Sequence, residues 1–382
     1  MIEHIPHLEE LPNLKGKRVL LRADFNVPLT DGPSGRKEIA DDHRILSALP
    51  TIKWLQEQGA HVTACSHLGR PGGEPNPDYS MDPIREKLDQ LAPGVDLLQN
   101  LRFYPGEESN DPAFVQRLIK DQDIYVNDAF GVAHRAHASV VGPPQFLPSA
   151  AGRLLAKEVD VITFLLDSPA RPFVAILGGA KVSDKLNVIK ALMDKVDVLI
   201  VGGGMCFTFL AALGHEIGSS LFEPDQVEIC RHLIDSGKRI IIPTDVVALG
   251  PGGKIGAGSS DPVEVKDFGR EIPKGWMGLD IGPQTIKEFT LEISTAGSVF
   301  WNGPMGVFED DRFETGTKAI AQAVADCKGF TVVGGGDSAA ALAYFGLEEQ
   351  VDHLSTGGGA SLELIEKGDL PGLAALRSSK RS

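Results

Sequence analysis

Short, unbroken apolar runs alternate with stretches of helical periodicity from one end of the chain to the other. Val19-Leu20-Leu21, Val62 to Cys65, Ile124 to Val126, Phe173 to Leu177, Val198 to Val201, Ile240 to Ile242, Val299 to Trp301 and Thr331 to Val333 read as strands. They do not alternate apolar with polar, which is the pattern of strands covered on both faces. Between them, Arg44 to Gln58, Pro112 to Lys120, Ser183 to Met193, Pro224 to Ser236 and Phe313 to Asp326 read as helices. Pro83, Pro112 and Pro224 suit first-turn positions. Such alternation predicts an α/β protein of parallel sheets with helices on both faces. A length of 382 residues suggests two domains, at about 150 residues each. Ala150 to Asp167 has helical periodicity and runs into the Pro-rich stop Ser168 to Pro172. A long helix joining two sheets is therefore predicted there. Only Ser378 to Ser382 looks frayed.

Three glycine triplets punctuate the second half: Gly202 to Gly204, Gly334 to Gly336 and Gly357 to Gly359. Each stands close behind an apolar run, and helix-friendly stretches open after the last two. Glycine lets the backbone turn sharply and approach a ligand closely. A helix starting there aims unpaired N–H groups and its positive dipole end at whatever binds. This is phosphate-handling geometry, used more than once.

The net charge of -15 argues against nucleic-acid or anionic-membrane partners. An acidic chain that binds an anionic metabolite must gather positive charge locally. Seven of the ten histidines precede residue 140, and arginines stand where apolar runs end. Arg22 to Asn26, His67 to Arg70, Asn100 to Arg102, and Asn127-Asp128 with His134 to His137 each follow a strand. Parallel strands would bring these residues to one rim, where open α/β sheets bind ligands. The arginine fork suits phosphate or carboxylate. His134 and His137 lack further ligands at metal spacing. Cys65, Cys206, Cys230 and Cys327 form no C-x-x-C pair and read as buried core. Met1 to His4 does not open a signal peptide, and the uncharged stretch Val198 to Gly214 is too short and glycine-broken to span a membrane. A cytoplasmic protein is expected.

At these same residues the sequence resembles the phosphoglycerate kinase family. RVLLRADFNVPL (Arg18 to Leu29), SHLGRP (Ser66 to Pro71), NLRF (Asn100 to Phe103) and NDAFGVAHRAHAS (Asn127 to Ser139) are similar to its signatures. So are LGGAKVSDK (Leu177 to Lys185), WNGPMGVFE (Trp301 to Glu309), VVGGGDS (Val332 to Ser338) and STGGGAS (Ser355 to Ser361). The resemblance covers almost the whole chain. It implies two Rossmann-like, three-layer α/β/α domains joined by a hinge helix at about 150–167. Residues 1–167 would bind phosphoglycerate, 168–358 would bind nucleotide, and 359–382 would return to the first domain. The implied reaction is reversible phosphoryl transfer between 1,3-bisphosphoglycerate and ADP, giving 3-phosphoglycerate and ATP.

Carried over by motif, Asp24, Phe25, Asn26, Arg44, His67, Leu68, Gly69, Arg70, Arg102 and Arg135 would hold the phosphoglycerate. Lys181, Lys185, Glu309 and the turn Gly335, Gly336, Asp337 and Ser338 would serve the nucleotide. Gly179, Ala180, Gly203, Pro304 and Val307 would line the adenine and ribose pocket. Arg44 and Lys185, with the amides of Gly336 and Gly359, would neutralise the transferring group. Asp337 is the natural carboxylate for Mg²⁺ on the nucleotide phosphates, although a helix cap is its ordinary alternative. The loop Asp31 to Lys37, the pair Asp310-Asp311 and the segment Gly250 to Ser260 depart from the family pattern.

Two other functions make distinct demands. A dinucleotide-dependent dehydrogenase needs G-x-G-x-x-G after its first strand, and Arg22 to Asn26 stands there instead. A non-catalytic phosphometabolite-binding protein of the same fold would have lost Lys185, Arg44 or Asp337, and all three are present. No G-x-x-x-x-G-K-[ST] occurs, so this is not a P-loop enzyme.

Overall fold

The computed structural model describes residues 2–32, 35–256, 258–260 and 262–379. Expectations for the 31–37 and 250–260 loops therefore fall outside it at Pro33, Ser34 and Ala257. Those for the chain ends fall outside it at Met1 and at Lys380 to Ser382. The chain divides into two compact units, Met1–Thr163 with Gly359–Ser382, and Phe164–Gly358.

Unit 1 is built on a five-stranded parallel sheet, in the spatial order Asp96–Leu97, His61–Cys65, Arg18–Arg22, Ile124–Asn127, Ser149–Ala151. Numbered along the chain this is 3-2-1-4-5, the doubly wound order. Its main core packs Val19, Leu21, Val62, Ile124 and Val126 against Ile45, Ile52 and Leu55 of the helix His43–Glu57 and Ile84 and Leu88 of Asp82–Leu91. The C-terminal helices Gly359–Lys367 and Pro371–Arg377 complete this unit. Leu364, Leu373 and Leu376 are fully buried, and Gly372 N donates to Ala133 O at 2.8 Å.

Unit 2 repeats the plan with six parallel strands, ordered Ile240–Ile241, Val198–Val201, Phe173–Leu177, Ser298–Asn302, Phe330–Val333, His353–Leu354. In chain order this is 3-2-1-4-5-6. The strands Phe173–Leu177, Val198–Val201 and Ser298–Asn302 are buried at every position, as strands covered on both faces must be.

Three expectations need correction. The helix predicted from Ala150 begins at Arg153; Ser149–Ala151 is instead the edge strand of the unit 1 sheet. Gly152 breaks the two apart because the Asp128 carboxylate occupies the place of a side chain there, 2.2 Å from where a Cβ would stand. The helix predicted from Ser183 starts at Leu186, its first turn being taken by a tight turn. Unit 2 also carries an unforeseen antiparallel sheet, Val265–Phe268, Val246–Leu249, Met277–Ile281. Its two outer strands interleave polar residues and glycine with apolar ones, and only the central one, Val246–Leu249, is a continuous apolar run.

Candidate active site

In each sheet the order reverses between strands 1 and 4, which opens a crevice at their carboxyl ends. In unit 1 that point lies beside Arg22. This cation is fully buried; its Nε donates to Ser139 Oγ at 2.9 Å, Nη1 to Ala23 O, and Nη2 to His67 Nδ1 at 3.2 Å. A guanidinium can only donate, so His67 Nδ1 accepts and the ring proton sits on Nε2. Burial pushes the His67 pKa well below its ordinary value, and Arg22, Arg102 and Arg44 push it further against the pull of Asp24. The ring is neutral at pH 7. Ser139 in turn donates its Oγ and N to the two carboxylate oxygens of fully buried Glu107, at 2.6 and 3.0 Å.

Asp24 is ion-paired to Arg44 Nη1. Burial works against its carboxylate, but His67, Arg44 and Arg22 hold its pKa below the ordinary aspartate value. Asn26 Oδ1 accepts from Gly69 N at 2.8 Å, and Gly69 O accepts from Arg102 Nη1 at 2.7 Å. Gly69 has φ +59°, and a Cβ there would stand 2.2 Å from the Tyr79 ring. Arg102 is buried and meets Glu108 Oε1 at 3.2 Å; burial lowers its pKa, as do the neighbouring charges of Arg135, Arg22 and Arg70. Asp24, Asn26, Arg44, His67, Gly69, Arg70, Arg102 and Arg135 thus share one rim. Phe25 and Leu68 differ, since both side chains are buried in the core and only their backbone reaches the rim. His137 lies 3.9 Å from Glu107, and burial with Arg102 and Arg135 lowers its pKa to about 4.

The corresponding point in unit 2 is built from glycine. A Cβ at Gly203 (φ +64°) would stand 2.5 Å from Gly179 N, and one at Gly178 would stand 2.1 Å from Pro304 O. Three strand ends therefore pack backbone on backbone. They floor a cavity of about 490 Å³ that Gly179, Ala180, Gly203, Gly204, Pro304, Val307, Glu309 and Asp337 line, with Phe207, Met277 and Leu279. Met277 and Leu279 come from the antiparallel sheet. The buried acid Asp280 stands in the same wall, accepting from Gly316 N at 2.6 Å and Ile281 N at 2.9 Å; burial outweighs those bonds and raises its pKa to about 7. Lys185 Nζ donates to Asn302 O at 3.0 Å and to Asn302 Oδ1. Burial lowers its pKa to about 8, against Asp337 and Asp184. Lys185, Gly335, Gly336 and Ser338 flank the cavity without lining it, while Lys181 is exposed.

Asp337 is not a helix cap. The cap position of Gly336–Phe345 is Gly335 at φ +97°, and Asp337 lies inside the first turn, exposed and lining the cavity. Gly336 and Gly359 open their helices with nothing within 4 Å of a built Cβ. No group of three His, Cys, Asp or Glu side chains that could hold a metal occurs among the described residues. Ser139, Asn302 and Glu107 carried no assigned role from sequence. Their partners lie 14 to 117 residues away along the chain, so nothing local signals them.

An arginine-rich rim on one doubly wound unit and a glycine-floored cavity on the other thus stand in a chain that a family model matches. The model described as phosphoglycerate kinase fits residues 8–96 and 92–368. The chain belongs to the phosphoglycerate kinase family. It is 51% identical to a phosphoglycerate kinase of Rubrobacter xylanophilus, over 95% of this chain and 96% of that one. It is 46% identical to one of Thermosipho africanus, over 97% of each. Among solved structures it is similar to phosphoglycerate kinase from Coxiella burnetii, with a TM-score of 0.88 and 36% identity over 99% of this chain and 100% of the other. The enzyme from Pyrococcus horikoshii gives a TM-score of 0.78 at 30% identity, covering 98% and 99%.

Proposed function

We propose that this glycolytic kinase transfers the phosphoryl group of 1,3-bisphosphoglycerate directly and in line to ADP, reversibly, using the unit 1 rim for the phosphoglycerate and the unit 2 cavity for the nucleotide. The observation that carries this reading is the crowding of Arg22, Arg70 and Arg135 around Arg102 at one sheet end, where burial and their charges lower the pKa of Arg102 and a bound anion would offset the gathered charge. Asp24 and Asn26 orient the rim. Neutral His67 offers its Nε2 proton to a ligand oxygen.

The cavity is apolar over much of its wall, which suits a nucleobase, and Glu309 at its edge suits ribose hydroxyls. Lys185 and Arg44 are the cations for the transferring group, and the first amides of the helices at Gly336 and Gly359 add donors. Open space at both glycines leaves room for phosphate oxygens to approach. In the ATP-forming direction the leaving group is a carboxylate, and in reverse the acceptor is already ionised at pH 7, so no general base is needed. Among the described residues no hydrogen bond or ion pair engages Asp337, and a single carboxylate fits Mg²⁺ brought in on nucleotide phosphates rather than held in a protein cage. When bound, Mg²⁺ neutralises phosphate charge; Asp337 anchors it.

Both substrates must meet out of reach of water, so the units close on each other during turnover, with the helix Arg153–Asp167 as hinge. The protein acts as a cytoplasmic monomer. A coupled assay of ATP formation from ADP and 1,3-bisphosphoglycerate tests the activity, and omission of Mg²⁺ should abolish it. Small-angle scattering should show compaction in the presence of both substrates; an unchanged radius of gyration would rule out closure.

A further inference from the structure

Two departures from the family pattern, the acidic pair after Glu309 and the glycine-rich segment from residue 250, are tied to each other. Arg312 grips Asp310 at two points, Nε to Oδ1 at 2.9 Å and Nη2 to Oδ2 at 2.7 Å. Both side chains are almost wholly buried, at 8% and 0% exposure. Each partner has a second bond. Asp310 Oδ2 accepts from Gly256 N at 2.9 Å, and Arg312 Nη2 donates to Lys254 O at 2.8 Å. The backbone groups on either side of Ile255 are thus held by one ion pair. Ile255 is 51% exposed, unusual for its type, and its side chain lines the cavity of unit 2. Gly252, Gly253 and Gly256 surround it, a composition that gives the segment no fixed conformation of its own. Arg312 is itself fixed, with its guanidinium carbon 5.3 Å from the ring centre of fully buried Phe313.

We infer that the Asp310–Arg312 pair is a positioning device for Ile255, and that Ile255 forms an apolar wall against the nucleoside part of ADP or ATP. Nucleotide affinity is then set in part by two side chains that touch no nucleotide. The Arg312 hydrogen bonds, partly opposed by burial, hold the Asp310 carboxyl far below the usual range, so the pair stays charged at every working pH. This inference rests on the assignment of the cavity to the nucleotide.

Ile255→Ala, Arg312→Ala and the double variant would be compared by KM for each substrate and by calorimetric Kd for ADP. Each single change should raise the KM and Kd for ADP about five-fold, the loss expected from a few apolar contacts. The KM for 1,3-bisphosphoglycerate should move less than about two-fold. The double variant should be no weaker than either single one, because both remove the same wall. Arg312→Lys should recover only part of the loss, since an ammonium cannot reproduce the two-point grip. Independent, additive effects would overturn the inference, as would an Ile255→Ala enzyme with unchanged ADP affinity. Ala180→Phe, which fills the cavity from an exposed position, separates the two failures. If it weakens ADP binding while Ile255→Ala does not, the wall is wrong and the cavity stands; if neither does, the cavity assignment itself fails.

Discussion

The two units share a strand order yet solve different recognition problems at the same topological point. On the proposed assignment, unit 1 would meet its ligand with charged side chains. Its arginines are long and would wander, so a buried network of Glu107, Ser139, Arg22 and His67 fixes one of them from behind, and Asn26 and Gly69 fix Arg102. Unit 2 would meet its ligand largely by leaving side chains out. Gly178, Gly203 and Gly303 let three strand ends touch, and the resulting floor is flat backbone. A compact anion rewards the first strategy and a planar base the second. One topology therefore supports opposite chemistries, and the difference lies in a few residues just past each strand.

The sharpest test of this contrast is Lys185, the half-buried cation beside the unit 2 cavity. Lys185→Ala should lower kcat by about 100-fold or more while leaving the KM for 3-phosphoglycerate nearly unchanged. A near-normal kcat would remove the lysine from the reaction. Next, Arg102→Met should raise the KM for 3-phosphoglycerate about 10- to 100-fold, the scale of a lost charge-assisted bond. Its KM for ADP should hold. An equal rise in both would mean that the two rims do not divide the substrates.

A smaller effect concerns pH. Burial lowers the Lys185 pKa to about 8, so the free enzyme keeps the ammonium below that pH and loses it above. The kcat/KM for nucleotide should fall as pH rises through about 8, with the limb for kcat displaced upward because bound phosphates favour the charged form. A profile flat to pH 9.5 would contradict this. The smallest expected effect is on stability. Asp280 has its pKa raised to about 7, so between pH 4 and 7 the folded state holds a proton that the unfolded state has released. Its contribution is present at low pH and lost as pH rises through 7. Unfolding of unit 2 by urea should show that slope, and Asp280→Asn should flatten it.

Much of the fold was legible because burial on both faces makes a strand read as a continuous apolar run. All eight such runs are strands. The outer strands of the antiparallel sheet were illegible for the converse reason: Val265–Phe268 carries Lys266 and Asp267, and Met277–Ile281 carries Gly278 and Asp280, which left the apolar Val246–Leu249 between them without a legible partner. The place of the unit 1 rim was legible, since parallel strands align their ends whatever lies between. What sequence could not show is which residues face inward there. Phe25 and Leu68 sit inside motifs of polar neighbours but turn into the core. Nothing in the local sequence marks Glu107 and Asp280 as buried acids; long-range folding buries them.

The chain's last two helices belong to the unit that its first residues begin. During synthesis, unit 2 is a continuous segment and has its whole sequence available once residue 358 clears the ribosome. Unit 1 must wait. Its surface around Ala133 and Val140 stays uncovered until Gly372 and the helix Pro371–Arg377 arrive. The unit begun first is therefore finished last.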